Sequence, residues 1–306
     1  MTTLWILVLA LVAVLALPFV LEWRKKDPDP EEAPGEFVEL SQGKTHYRWL
    51  GPVRGPVIVA IHGLTTPSVI WESVAASFGK LGYRTLVYDL YGRGFSDAPR
   101  GAQNAAFFHR QLDELLAKLG LSDELTVMGY SMGGSIATSW AALNPERVRQ
   151  VVLLASTGVE TVEGPESQWI RRVPLLGGWL HRVMSGRQAR ATFDDGGSEV
   201  ANLAEVQAAQ YQRKGFVDAV LSSRRGILSK KMEEAHRKLF QTEIPVFAVW
   251  GKQDAMIPIS ALGKLAQWNR DAHQAVIDEA DHGLPYTHGR QAVSELRDLM
   301  IKVRPD

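Results

Sequence analysis

Cysteine is absent from the 306 residues. That absence excludes disulfides, thiolate zinc sites, cysteine nucleophiles, palmitoylation and a lipidated N-terminal cysteine, and it suits a reducing compartment. An excess of either charge is lacking too: 34 lysine plus arginine residues offset 34 aspartate plus glutamate residues. With nothing spare to neutralise a phosphate backbone, the chain is not expected to bind nucleic acid. The segment Gly92-Arg93-Gly94 has Asp97 where a dinucleotide-binding G-x-G-x-x-G loop needs its third glycine. That departure, together with the lack of histidine and carboxylate groups at ligand spacing, leaves no cofactor and no metal expected. Hydrophobic residues at 45% and charged residues at 22% are close to the globular average, so a chain of this length can bury a large core.

Charge is missing altogether between Leu4 and Leu21, LWILVLALVAVLALPFVL. At ~1.5 Å per residue a helix of that length spans roughly the 30 Å hydrocarbon layer of a bilayer. A secretory signal wants a basic region ahead of the apolar run and a small-residue cleavage site after it, whereas only Met1, Thr2 and Thr3 precede this one. The expectation is a retained single-pass anchor, residues 1–24, with Trp5 and Trp23 near the two interfaces. Arg24, Lys25 and Lys26 follow the run, which by the positive-inside rule puts the rest of the protein in the cytoplasm. Residues 25–36 contain DPDPEEAPGE, where prolines remove donors and acids repel one another, as in an extended linker.

From Phe37 onward, β-rich runs alternate with helical patterns. Strands are expected at Phe37–Leu40, His46–Leu50, Val57–Ile61, Thr85–Tyr88, Leu125–Gly129, Val151–Ala155, Val246–Trp250 and Ala275–Ile277. Runs such as VIVAI, VVLLA and VFAVW are apolar throughout, as strands buried on both faces of a parallel sheet must be. Helices are expected around Trp71–Leu81, Asn104–Leu119, Met132–Leu143, Ala261–Asn269 and Gln291–Val303. This alternation predicts an α/β fold, a doubly wound and mostly parallel sheet. It breaks between Gly158 and Thr242, where helices alone are expected. The chain therefore divides into core residues 37–158, an inserted helical cap 159–242 and core residues 243–306.

Chemistry enters at Gly129-Tyr130-Ser131-Met132-Gly133, a G-x-S-x-G pattern with a strand before it and a helix after it. A sharp turn there lifts the serine hydroxyl above the sheet, and the flanking glycines let the backbone pack closely. Serine is a weak nucleophile at its own pKa, so it needs a base, and the base needs a group that fixes its tautomer. His282 follows the last strand and Asp254 follows the VFAVW strand, both on loops at the carboxyl edge of the sheet. The order Ser131, Asp254, His282 suits a nucleophile, orienting acid and base in this fold. Asp278 and Asp281 are rival acids. His46, His109, His181, His236, His273 and His288 are expected as surface or cap residues, and His62 as an organiser of its loop. An oxyanion hole needs two backbone N–H groups, and Met132, next after the serine, supplies one.

Taken together, these motifs resemble the α/β-hydrolase fold superfamily over nearly all of Phe37–Asp306. The resemblance rests on His62-Gly63, on Asp89-Leu90-Tyr91-Gly92-Arg93-Gly94-Phe95-Ser96-Asp97, on the Ser131 motif, on Gly251-Lys252-Gln253-Asp254 and on Asp281-His282-Gly283. It implies Leu64 as the second oxyanion donor. Within the superfamily the chain is most similar to capped serine hydrolases, a group that includes monoacylglycerol-lipase-like membrane hydrolases and meta-cleavage-product hydrolases. One departure is that Asp281 precedes His282 and Gly283-Leu284-Pro285 follows it. The resemblance implies a membrane-anchored hydrolase of carboxylic esters, lipid-like ones such as monoacylglycerols. C–C bond hydrolysis and non-catalytic ligand binding are the alternatives the same fold serves. In the cap, Trp169–Leu180 interleaves large apolar groups with arginines. This stretch leaves open an acyl tunnel, a lip on the bilayer, recognition of a substrate carboxylate, or plain packing.

Overall fold

The computed structural model describes residues 1–188 and 197–303. Eight strands form one sheet: β1 Glu36–Leu40, β2 Gly43–Leu50, β3 Val57–Ile61, β4 Arg84–Tyr88, β5 Leu125–Tyr130, β6 Val148–Leu154, β7 Val246–Gly251 and β8 His273–Ile277. Their order is β1-β2-β4-β3-β5-β6-β7-β8, antiparallel at β1, β2 and β4 and parallel from β4 onward. All the expected strands are present.

Among the described residues twelve α-helices accompany the sheet: α1 Thr2–Trp23, α2 Glu72–Lys80, α3 Ala105–Lys118, α4 Met132–Leu143, α5 Pro165–Arg172, α6 Leu175–Gln188, α7 Leu203–Gln212, α8 Phe216–Arg225, α9 Glu233–Gln241, α10 Ser260–Trp268, α11 Leu284–Thr287 and α12 Gly289–Val303. Successive strand residues point to opposite faces, so Val59 and Ile61 pack with α3, α4, α9 and α10. Ile58 and Ala60 pack with α2, α11 and α12 on the other side. This is a doubly wound sheet with a full core on each face.

Between β6 and β7 the described residues contain helices and no strand. Helices α5 to α8 pack on one another, whereas α9 returns to α4 and α10 and buries Leu239 in the core of the sheet. Four histidines expected on the surface or in the cap are buried. His46 and His109 lie within the α/β body, His236 lies on α9, and His181 lies on α6 with its Nε2 3.0 Å from Val217 O of α8. Burial drives His236 down to about 3, and neither of its ring nitrogens has a hydrogen-bond partner among the described residues.

Helix α1 is a candidate membrane span, and its apolar stretch is nowhere buried by the rest of the protein. Its last turn is docked. The Arg182 guanidinium of α6 lies 4.4 Å over the Phe19 ring, and a Glu22 carboxylate oxygen accepts from the Gly215 N–H at 3.0 Å. The segment after α1 stays against the body as well: Lys26 bridges Arg213, and the Pro34 carbonyl lies 2.7 Å from His46 Nε2.

Candidate active site

Strand β5 delivers Ser131 to the start of α4 in a conformation that L-residues rarely adopt, φ 50 and ψ −119. Such strain persists only where the surroundings hold it. A Cβ on Gly133 would strike the Ile61 carbonyl and one on Gly134 would strike Ser156. The glycines therefore let α4 approach β3 and the loop after β6, which fixes the turn. The Ser131 N–H donates to Leu154 O at 3.1 Å and the Thr157 hydroxyl donates to Ser131 O at 3.0 Å. The backbone of the turn is thus occupied, and the Ser131 hydroxyl is left to face His282.

His282 Nε2 lies 3.0 Å from Ser131 Oγ, and His282 Nδ1 lies 2.8 Å from Asp254 Oδ2. The other Asp254 oxygen accepts from the Met256 and Ile257 N–H groups, each at 2.8 Å. That carboxylate is nearly enclosed, its side chain 1% exposed, and two backbone donors aim it at the imidazole. The rival acids face elsewhere. Asp281 accepts from Gly283 N at 2.8 Å, and Asp278 pairs with Lys252 at 2.9 Å. The Tyr130 hydroxyl donates to His282 O at 2.9 Å and holds the histidine loop from behind. Among the described residues, the Met132 and Leu64 N–H groups have no protein acceptor.

The sequence model for the alpha/beta hydrolase fold matches residues 56–288. The chain belongs to the α/β-hydrolase family. Lipase 1 of Psychrobacter immobilis is 25% identical over 278 residues, covering 89% of this chain and 84% of that protein. The pimeloyl-acyl-carrier-protein methyl ester esterase of Aeromonas salmonicida is 25% identical over 258 residues, 80% of this chain and 95% of the relative. Among solved structures, a membrane phospholipase A described as a bacterial virulence factor superposes with a TM-score of 0.70 at 18% identity. It covers 100% of this chain and 98% of its own.

In this α/β hydrolase, His62 organises its loop as expected. The Leu90 N–H donates to His62 Nε2 at 2.9 Å, so the ring proton sits on Nδ1, which donates to Gly63 O at 2.8 Å. Burial holds the imidazole down at about 4, hence neutral at neutral pH. The Gly63 carbonyl and the Leu64 N–H share one peptide plane, so His62 aims that N–H. A second buried pair escaped the sequence reading. His46 Nδ1 lies 2.7 Å from Asp89, whose other oxygen accepts from Ser68 N at 2.9 Å. Burial opposes both charges. The pairing overrides it, raising His46 and holding Asp89 well below the usual carboxylate range. Asp89, Arg93 and Ser96 were visible only as letters of a motif, since partners such as His46, Ser68 and Ser223 lie 21 to 130 residues away.

Proposed function

We propose that the protein is a membrane-anchored serine hydrolase that cleaves carboxylic esters, lipid-like ones such as monoacylglycerols, through an acyl-enzyme on Ser131. The hydrogen-bonded chain from Ser131 Oγ to His282 to Asp254 carries this reading. Ser131 attacks the ester carbonyl while its proton passes to His282 Nε2, and Asp254 keeps the Nδ1 proton in place and stabilises the imidazolium. The carbonyl oxygen becomes negative between the Leu64 and Met132 N–H groups. Collapse breaks the ester C–O bond, and His282 returns its proton to the departing alcohol. Water then gives a proton to His282 and attacks the acyl group, and Ser131 leaves with that proton. No step needs a cofactor or a metal.

The membrane part rests on α1, which is long and apolar enough to cross a bilayer, and on Arg24, Lys25 and Lys26 after it, which favour a cytoplasmic catalytic domain. In this reading residues 1–24 anchor, 25–36 link, 37–158 and 243–306 form the core, and 159–242 contain the cap. A lipid-like substrate fits relatives named as a lipase and a methyl ester esterase. The test is an ester panel on full-length protein, with vesicle-embedded monoacylglycerol, short soluble esters and a ring-fission ketone, together with a fluorophosphonate probe. Ester turnover and labelling, both abolished by Ser131→Ala without loss of fold, are expected. Turnover of the ketone alone, or labelling that survives in the variant, would overturn the assignment.

A further inference from the structure

Arg93 is completely buried. Its Nε donates to the Leu64 carbonyl at 3.0 Å, its Nη1 to Tyr91 O at 2.9 Å and to Gln103, and its Nη2 to Ser223 Oγ at 2.8 Å and Ala219 O at 3.3 Å. A guanidinium has five N–H donors, and here each meets one acceptor. All five acceptors are neutral. A buried charge without a counter-charge is costly, and a neutral amide could have bridged part of the same gap. The charge therefore needs an explanation beyond hydrogen bonding.

We propose that Arg93 is a positioning residue of the oxyanion hole, tying the Leu64 loop to cap helix α8 and setting a positive charge behind the site where the oxyanion forms. This inference rests on the hydrolytic reading above. His62 fixes the peptide plane before Leu64, and Arg93 fixes the one after it, so the Leu64 N–H is held from both sides. Ala219 and Ser223 lie on α8, so the cap's position is transmitted to the loop through one side chain. No negative charge is present at the oxyanion position in the resting site. One appears in the transition state, so a charge left uncompensated before reaction is compensated during it, which accelerates the chemical step rather than substrate binding.

The groups facing Arg93 are consistent with that role. His62 is neutral, and Arg213 on the cap side is itself drawn to Asp89, Asp27 and Asp97. The α8 face offers only the Ala219 carbonyl and the Ser223 hydroxyl. Burial, with Arg213 nearby, lowers the Arg93 guanidinium to about 9, which leaves it charged at neutral pH.

The test compares Arg93→Met, Arg93→Lys and Ser223→Ala in the full chain on a soluble short-chain ester, with a phenylboronate as transition-state mimic. Arg93→Met should lower kcat about 10- to 100-fold while KM moves less than about threefold, and boronate affinity should fall with kcat. Arg93→Lys should keep part of the lost rate near about pH 6 and lose it as pH rises, because burial lowers the pKa of an ammonium. The arginine enzyme should show no such decline below about pH 9. Ser223→Ala, which keeps the charge but loosens the cap contact, should lower kcat and boronate affinity a few-fold. The inference is overturned by wild-type kcat in Arg93→Met, or by equal losses in Met and Lys at every pH with boronate affinity unchanged. If neither Arg93 variant folds, wild-type kcat and boronate affinity in Ser223→Ala overturn it. An active Ser131→Ala protein would sink the hydrolytic reading, whereas an inert one beside a fully active Arg93→Met would sink this inference alone.

Discussion

Ser131, Asp254 and His282 sit just beyond the ends of β5, β7 and β8, whereas the Leu64 loop is gripped by Arg93, whose far end reaches helix α8. The strand-borne half depends on close backbone approach and short loops. Gly133 and Gly134 admit α4, and Asp254 is aimed by the N–H groups two and three residues after it. The half around the Leu64 loop depends on long polar side chains reaching across the chain. Gln207 donates to Thr66 Oγ1 at 3.0 Å, Arg213 donates to Gly94 O at 2.8 Å, and Arg93 reaches Ser223, 130 residues away. Rigidity in the first half comes from sterics and from local backbone hydrogen bonds. In the second it comes from satisfied hydrogen bonds, which can be loosened one at a time.

The sharpest way to break this comparison is to mutate one histidine in each half. His282→Ala removes the proposed base and should cost about 10⁴-fold or more in kcat on a soluble ester. His62→Ala leaves Ser131, His282 and Asp254 in place, loosens the Leu64 peptide and strips the Leu90 N–H of its acceptor, so a loss of about 10- to 100-fold is expected. Steady-state kinetics on both variants decide the matter. The reverse ranking would mean that His62, not His282, handles the proton.

The same division explains what was legible in the sequence. Apolar runs such as VIVAI are required by burial on both faces, so the strands could be placed without coordinates. The Ser131 turn could be placed because close packing dictates glycines at fixed offsets. Asp254 and His282 followed from their position after strands at one edge. Arg93 offers no such cue. Its five acceptors include three main-chain carbonyls, which leave no trace in residue identity, and its two side-chain partners, Gln103 and Ser223, are common polar residues. The burial of His46 and His109 was hidden for a related reason: residue type alone does not say that a ring will be enclosed. The docking of Lys26 and Pro34 was likewise hidden, since an acidic, proline-rich stretch fits a tether and a strap equally well.

A middle-sized effect is expected in stability against pH. His62, His109 and His181 are lowered to about 4 and His236 to about 3, by burial in each case. The unfolded chain binds more protons than the native one below the ordinary histidine value. Stability from these groups is therefore fully present above about pH 6.5 and lost as pH falls through 6 and 5 towards 4. His46 has the opposite sign, since its raised value makes its contribution fade as pH rises through it. Thermal melts should show Tm falling by several degrees between about pH 6.5 and about pH 4.5. His236→Leu, which removes a buried ring whose nitrogens have no hydrogen-bond partner among the described residues, should flatten that acid limb, and an unchanged slope would show that His236 does not contribute to it.

The smallest effect tests how far the grip of α8 extends toward α1. Glu22, in the last turn of α1, accepts from Gly215 N at the start of α8 and pairs with Lys25 at 2.6 Å. A carboxylate there satisfies an orphan donor and opposes the positive end of the α8 dipole, which is worth on the order of 1 kcal/mol. Three and seven residues into α8 stand Ala219 and Ser223, the acceptors for Arg93. Glu22→Ala should fray the first turn of α8 and lower Tm by a few degrees. It should also reduce kcat on a soluble ester by less than about threefold, with KM unchanged, because Arg93 keeps its three remaining acceptors. Arg93→Met should erase that small kcat difference in the double variant, since the two substitutions act along one route. Additive losses would mean that α1 steadies α8 without reaching the Leu64 loop, and the two halves of the site would then be coupled only through the sheet.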